Sequence, residues 1–245
     1  MKAICFLLPK DLTVFIDGVV EFLAANVGHH ADVGGAVPGS IAGGSRSIFE
    51  EGIRLPVVRI VKAGELDTEM LNLIAHNTRD PEERSLDLRV QIATNERGAT
   101  AARELIAQMG VEAVRRSIDD IIAYTQRRIR NRIAELKPGE YSFTNYLDDD
   151  GMGGDPVPIA VTVRVDGDRL SVDFTGSGKE ARGAMNMPTN ALNACVYYSV
   201  KALLDPELLP NAGLFEAVRI HAPLGSIVNP KPPAAVGDEL PNVVV

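Results

Sequence analysis

The sequence predicts an α+β fold with segregated strands and helices, and three observations carry that expectation. Alternating apolar and polar residues flank turn residues near both ends, while apolar residues recur every three or four positions through the middle. The regular strand-helix alternation of a parallel α/β sheet is missing. We therefore expect mixed or antiparallel strands, a long central helix pair and a C-terminal helix. Elements from both ends could share one sheet with the Arg-bearing helix pair packed on it, and the sequence leaves the topology open. The 245 residues read as one region in three parts: strands and loops over 1–62, helices over 63–140, and a hairpin, helix and extended tail over 141–245. No repeat period is visible.

Taken in order, Thr13 to Ile16 and Val19 to Ala25 read as a hairpin around Asp17-Gly18, a dipeptide suited to positive φ. His29 and His30 would then lie just past its second strand. From Gly34 to Ser45 five glycines and Pro38 describe a loop that wraps closely around a ligand or simply lies on the surface. Leu55 to Ile60 is a further strand candidate. Asp67 or Thr68 can cap a short helix reaching about His76, and Asp80-Pro81-Glu82-Glu83 has the order of a helix start. That second helix should run to Met109, with Gly98 a weak point and Gly110 the stop.

Val111 opens a third helix, in which Val114, Ile118, Ile121, Ile122, Ile129, Ile133 and Leu136 mark one stripe toward a core. Lys137-Pro138-Gly139 ends it. Its arginines at 115, 116, 127, 128, 130 and 132 mostly take the opposite face, offset by Asp119, Asp120 and Glu135, and read as a solvated or partner-facing surface. Strand character returns at Tyr141. The clearest hairpin joins Ile159–Val165 to Leu170–Phe174 around Asp166-Gly167-Asp168, and a helix follows over Pro188 to Leu204. Asn229-Pro230-Lys231-Pro232-Pro233 predicts no regular structure.

The composition excludes several function classes. A net charge of −8 opposes non-specific nucleic-acid binding, and 45% hydrophobic content fits a globular chain. Cys5 and Cys195 imply no disulfide framework, so a reducing compartment is expected. The apolar run Ala3 to Leu8, interrupted by Pro9-Lys10-Asp11, is too short for a membrane span and poor as a leader, so a cytoplasmic protein without membrane partners is expected.

The motif that points to chemistry is His29-His30-Ala31-Asp32-Val33-Gly34-Gly35, which holds two of the chain's four histidines. Imidazole nitrogen and carboxylate oxygen suit zinc, manganese or iron, making His29, His30 and Asp32 candidate metal ligands. A structural reading stands beside it: histidines capping backbone groups, and a glycine turn. Two other motifs fail on inspection. Gly176-Ser177-Gly178-Lys179 lacks the glycine and hydroxyl of a phosphate loop at Asp173 and Glu180, and Asp148-Asp149-Asp150-Gly151 lacks calcium ligands at Met152 and Ile159.

Several blocks in order give the chain a relation. They are His-His-Ala-Asp-Val-Gly-Gly with Pro38-Gly39-Ser40, Glu50-Glu51-Gly52-Ile53-Arg54-Leu55-Pro56, Asp87-Leu88-Arg89-Val90-Gln91-Ile92-Ala93 and Asp173-Phe174-Thr175-Gly176-Ser177. Gly183-Ala184-Met185-Asn186, Gly225-Ser226-Ile227-Val228-Asn229-Pro230 and Pro233-Ala234-Ala235-Val236-Gly237 agree. In these blocks the chain resembles the hydantoinase B / 5-oxoprolinase family, which includes subunits of N-methylhydantoinases and of acetone and acetophenone carboxylases.

The resemblance implies a hydrolase subunit opening a cyclic amide such as a hydantoin or 5-oxoproline. It also implies a hydantoinase A-type partner that binds and hydrolyses ATP, and a divalent metal (Mn, Zn or Fe) at His29 and Asp32, with His30 beside them. The same blocks admit the carboxylase branch, and a third possibility is a non-catalytic remnant that binds a partner. Glu50, Glu51, Arg46 and Asn186 are candidate neighbours of the site or ordinary structural residues. Family members carry a Gly-Gly-Thr-His-Leu-Pro-Asp segment where this chain has Cys5 to Lys10, with Leu7 in the place of its histidine. Together with the family's greater length, this suggests an internal piece of a longer protein, or the product of a truncated gene, with an incomplete ligand set.

Overall fold

A computed structural model describes residues 3–5, 13–16 and 18–237. The chain divides into two compact units, one formed by Met1–Ala42 and Phe49–Arg116, the other by Gly43–Ile48 and Ser117–Val245. The α+β class holds in both. Leu7, Lys10 and Asp17 lie outside the described residues.

In the first unit, β2 (Thr13–Ile16) and β3 (Val19–Leu23) form the expected antiparallel pair, with a register shift between Val14 and Phe15. The apolar run does not continue to Ala25 as one strand. It breaks at Asn26, whose side-chain amide donates to Gln91 O and Asn95 Oδ1, both at 2.8 Å. A separate strand, β4 (Val27–His29), then pairs antiparallel with β1 (Ala3–Cys5), so His29 ends a strand of its own. Leu55 to Ile60 is irregular. Pro56 interrupts it, and the backbone pairs instead in the short hairpin of β5 (Val61–Lys62) and β6 (Glu65–Leu66).

Both helix starts follow their capping chemistry. The Asp67 side chain accepts from Met70 N to open α1 (Thr68–Ala75), and Asp80 accepts from Glu83 N to open α2 (Pro81–Met109), with Pro81 at the first helical position. Gly98 leaves α2 unbroken, and Gly110 stops it at φ +79°. Leu71, Ile74, Leu88 and Ile92 pack with Ile60 and Val61, while Ala99 and Ile106 pack with Val14 and Val114.

The third helix, α3 (Val111–Ala134), buries Val114, Ile129 and Ile133 but leaves Ile118 and Ile121 exposed, so the expected stripe is interrupted in its middle. Its arginines find carboxylates that spacing along the helix does not show: Arg115 pairs with Glu21, and Arg128 with the buried Asp205 at 2.5 Å.

The second unit is built on one four-stranded sheet in the order β10-β9-β8-β7. The strands β7 (Gly139–Leu147), β8 (Val157–Asp166) and β9 (Arg169–Asp173) run antiparallel, the last two joined at Gly167-Asp168 as the sequence indicates. The helix α4 (Thr189–Leu204) matches its expected span. Two elements of this unit escaped sequence reasoning: the single turn α5 (Ala212–Phe215) and β10 (Val218–His221), which lies parallel to β9. A parallel neighbour needs a long crossover, and residues 174–217 with α4 supply it. The sheet shared by both ends that the sequence admits is not formed among the described residues, where the N-terminal strands pair among themselves. Among the described residues no helix is long and apolar enough to cross a membrane.

Candidate functional site

His29, His30 and Asp32 sit where β4 runs into the glycine-rich loop, with the two histidines in different surroundings. His29 is exposed at the strand end. His30, 4% exposed, turns inward against α2, where its Nδ1 lies 2.8 Å from Arg84 Nη1 and 3.3 Å from Asp87 Oδ2. Arg84 is itself 1% exposed and pairs with Asp87 and, at 2.9 Å, with Glu83. Burial and the Arg84 charge lower the His30 pKa against the opposing pull of Asp87 and Gln91, so the imidazole is neutral at pH 7. A neutral Nδ1 can accept from the guanidinium. Gly28 lies close against α2: an added Cβ would stand 2.5 Å from Gln91 Nε2, the movable end of that side chain.

Asp32 organises the loop that follows it. Oδ1 accepts from Gly34 N and Oδ2 from Gly39 N, each at 2.8 Å. Arg79, on the segment between α1 and α2, donates from Nη1 to Asp32 Oδ2 at 2.9 Å and to Gly34 O at 3.3 Å. Its Nη2 donates to Gly35 O at 2.6 Å. Ser40 closes the loop from inside, its hydroxyl accepting from Val33 N and donating to Gly34 O. Burial opposes ionisation of Asp32, but the two amides and the guanidinium outweigh it and hold the carboxyl down at about 2.

Gly35 is required by contact as well as by conformation. It has φ +86°, and a Cβ there would lie 2.6 Å from Glu50 O and 2.8 Å from Gly52 N. Glu50 thus enters through its backbone, accepting from Ala36 N at 2.8 Å.

The other candidate neighbours divide between the two units. Asn186 is a fully buried structural residue of the second unit, its amide bonded to Ala181, Gly183 and Ala235. Arg46 falls in the second unit and Glu50 and Glu51 in the first. The acidic turn at Asp148-Asp149-Asp150 closes on itself, with Asp150 held by Arg182 at 2.5 Å. Ser177 and Gly178 bond to the backbone of Ala160 and Pro158. The second unit also carries an apolar cleft of about 610 Å³, lined by Phe143, Val161, Val163, Phe174, Val200 and Leu203.

Sequence reasoning missed Arg79, Arg84 and Asp87. Arg84 had a signal: it occupies the same face of α2 as Leu88, Asn95 and Ala99, so a charge lay on a buried stripe. Arg79 had none, being joined to Asp32 only across the fold.

These positions bear on the metal that the resemblance implies. Both Asp32 oxygens are engaged and charge-compensated, His29 and His30 face different surroundings, and His30 Nδ1 is taken. Among the described residues no three His, Cys, Asp or Glu side chains gather as a ligand set. As folded, Asp32 is engaged by Arg79 and His30 by Arg84, and among the described residues no third ligand joins them.

A family model described as hydantoinase B/oxoprolinase matches residues 9–243. The chain belongs to this family. It is 32% identical over 237 residues to a 5-oxoprolinase of Dictyostelium discoideum, covering 92% of this chain and 18% of that protein. It is 28% identical over 235 residues to the B-type subunit of a putative D-/L-hydantoinase from Pseudomonas sp. (strain NS671), covering 91% and 40%.

Two solved structures share the fold. An ATP-dependent caprolactamase from Pseudomonas jessenii superposes with a TM-score of 0.83 at 26% identity, over 91% of this chain and 39% of that one. Nucleotide-free acetone carboxylase superposes with a TM-score of 0.84 over 92% of this chain and 32% of that one; at 19% identity, it bears on the fold alone. The chain thus spans less than half the length of each protein.

Proposed function

We propose that this chain forms part of an ATP-dependent hydrolase that opens a cyclic amide, a hydantoin, 5-oxoproline or a related lactam, within the cytoplasm. The observation that carries the reading is that relatives named for cyclic amides, a 5-oxoprolinase and an ATP-dependent caprolactamase, match about nine-tenths of this chain. The chemistry explains the nucleotide. Amide resonance makes the ring carbonyl a poor electrophile, and transfer of the γ-phosphoryl group to the amide oxygen supplies a leaving group. Water then adds to the ring carbon and the ring C–N bond breaks, the nitrogen leaving with a proton, to give an acyl phosphate from which a second water displaces phosphate. One ATP and two waters give the ring-opened acid, ADP and phosphate.

A hydantoinase A-type subunit is the proposed carrier of ATP. This rests on the family's division into subunits, as in the hydantoinase relative from Pseudomonas sp.. On this chain, the Asp32-Arg79 contacts fix the loop from Asp32 to Ser40 and present the exposed His29 beside it.

The test is reconstitution with such a partner and ATP, following phosphate release and ring opening of hydantoin, 5-oxoproline and caprolactam by mass spectrometry. Ring opening that requires both chains supports the reading. Turnover of a ketone with bicarbonate, and none of the cyclic amides, replaces it with the carboxylase branch. No turnover in a defined complex leaves the partner-binding remnant.

A further inference from the structure

We propose that the Arg79 guanidinium is the built-in counter-cation of the His-His-x-Asp motif, and that Asp32 is therefore not a metal ligand in this protein. Three oxygens converge on one cationic group: Asp32 Oδ2 at 2.9 Å and Gly34 O at 3.3 Å from Nη1, and Gly35 O at 2.6 Å from Nη2. A carboxylate and two carbonyls are the donors a hard cation takes from a tight loop. Here the positive charge arrives on a side chain whose planar fork suits several oxygens at once.

The rest of the Asp32 carboxylate is occupied from the other side. Gly34 N and Gly39 N each donate at 2.8 Å, and the Arg79 amide approaches Oδ1 at 3.5 Å. A metal at Asp32 would have to displace the guanidinium and remain beside its charge. The loop has little freedom to reorganise, because Gly34 and Gly35 both stand at positive φ with backbone oxygens where a Cβ would be. The Arg79 side chain is 38% exposed against 12% for Asp32, so the guanidinium enters its cage from solvent. A small cation can therefore reach the same place once the side chain is removed.

The inference concerns the cation at this loop and goes beyond the proposed reaction; its test measures no turnover. Wild type, Asp32→Asn, Arg79→Ala and Arg79→Lys would be compared for manganese and zinc content by elemental mass spectrometry, and for Tm with and without millimolar methylguanidinium. The expected result has four parts: no metal that depends on Asp32, a Tm loss of roughly 2–4 °C in Arg79→Ala, partial restoration by methylguanidinium but not by equal sodium chloride, and a smaller loss in Arg79→Lys. Metal bound in wild type and retained in Asp32→Asn also supports the assignment, since it places the ligands elsewhere. Near-stoichiometric metal lost in Asp32→Asn overturns it. So does an Arg79→Ala variant that methylguanidinium does not restore and whose loss adds in full to that of Asp32→Asn when the two substitutions are combined in one double variant.

Discussion

Replacing Asn186 tests whether one side chain holds the C-terminal part of the second unit together. The residue is 0% exposed, and its Oδ1 accepts from Ala181 N at 2.7 Å. Its Nδ2 donates to Ala181 O at 3.0 Å, Gly183 O at 3.1 Å and Ala235 O at 3.0 Å. Asn186→Ala leaves one buried amide without its acceptor, costing about 1–3 kcal/mol, and removes the amide's own donation at about 0.5–1.5 kcal/mol per bond. The expected loss is about 3–4 kcal/mol. Asn186→Asp should cost more near pH 7, because it sets a carboxylate oxygen among three carbonyls. The new carboxyl would have a raised folded-state pKa, so its excess cost appears as pH rises and fades below its ordinary titration near 4.

Tyrosine emission reports the transition cleanly: the chain has no tryptophan, and all five tyrosines lie in the second unit. Equilibrium urea unfolding of wild type and both variants gives the loss from midpoint and slope. A deficit below about 1 kcal/mol in Asn186→Ala, beneath the cost of a single orphaned amide, would refute the argument.

Acid stability carries a second expectation. The Asp32 carboxyl stands at about 2 in the fold, below its ordinary 3.8, so its contribution is complete above about pH 4 and disappears as pH falls toward 2. Its size should be about 1–2 kcal/mol after solvent screening, measured as the difference in urea-unfolding stability between wild type and Asp32→Asn from pH 7 to 2. Some acid sensitivity should remain in the variant, because the hydrogen bonds of Arg182 to Asp150 lower that carboxyl to about 2 as well. A third comparison separates contact from conformation. Gly35→Ala should cost more than about 2 kcal/mol, combining positive φ with a collision, whereas Gly18→Ala, at φ +82° with nothing within 4 Å, should cost about 1 kcal/mol. Equal effects on urea midpoints would remove the packing argument at Gly35.

Local chemistry made much of this chain legible. Asp67 and Asp80 cap helices because a carboxylate beside free backbone amides is favourable wherever it occurs, and Gly110 ends α2 by tolerating positive φ. The β8–β9 hairpin followed from alternation around a two-residue turn. By the same logic, β10 stayed hidden: four residues parallel to a strand 48 positions earlier leave no local pattern. The stripe on α3 misled for the related reason that periodicity marks a face without saying what covers it, and Ile121 is exposed.

The candidate site divides along the same line. The order of residues was enough to establish the family's blocks, the glycine loop and the residue types at 29, 30 and 32, since these are properties of near neighbours. Folding was needed to part His29 from His30 and to bring Arg79, 47 positions from Asp32, onto its carboxylate. A ligand set and an ion pair use the same carboxylate chemistry. What distinguishes them is which charge the folded chain brings within hydrogen-bonding distance, and that depends on the whole path between the two residues.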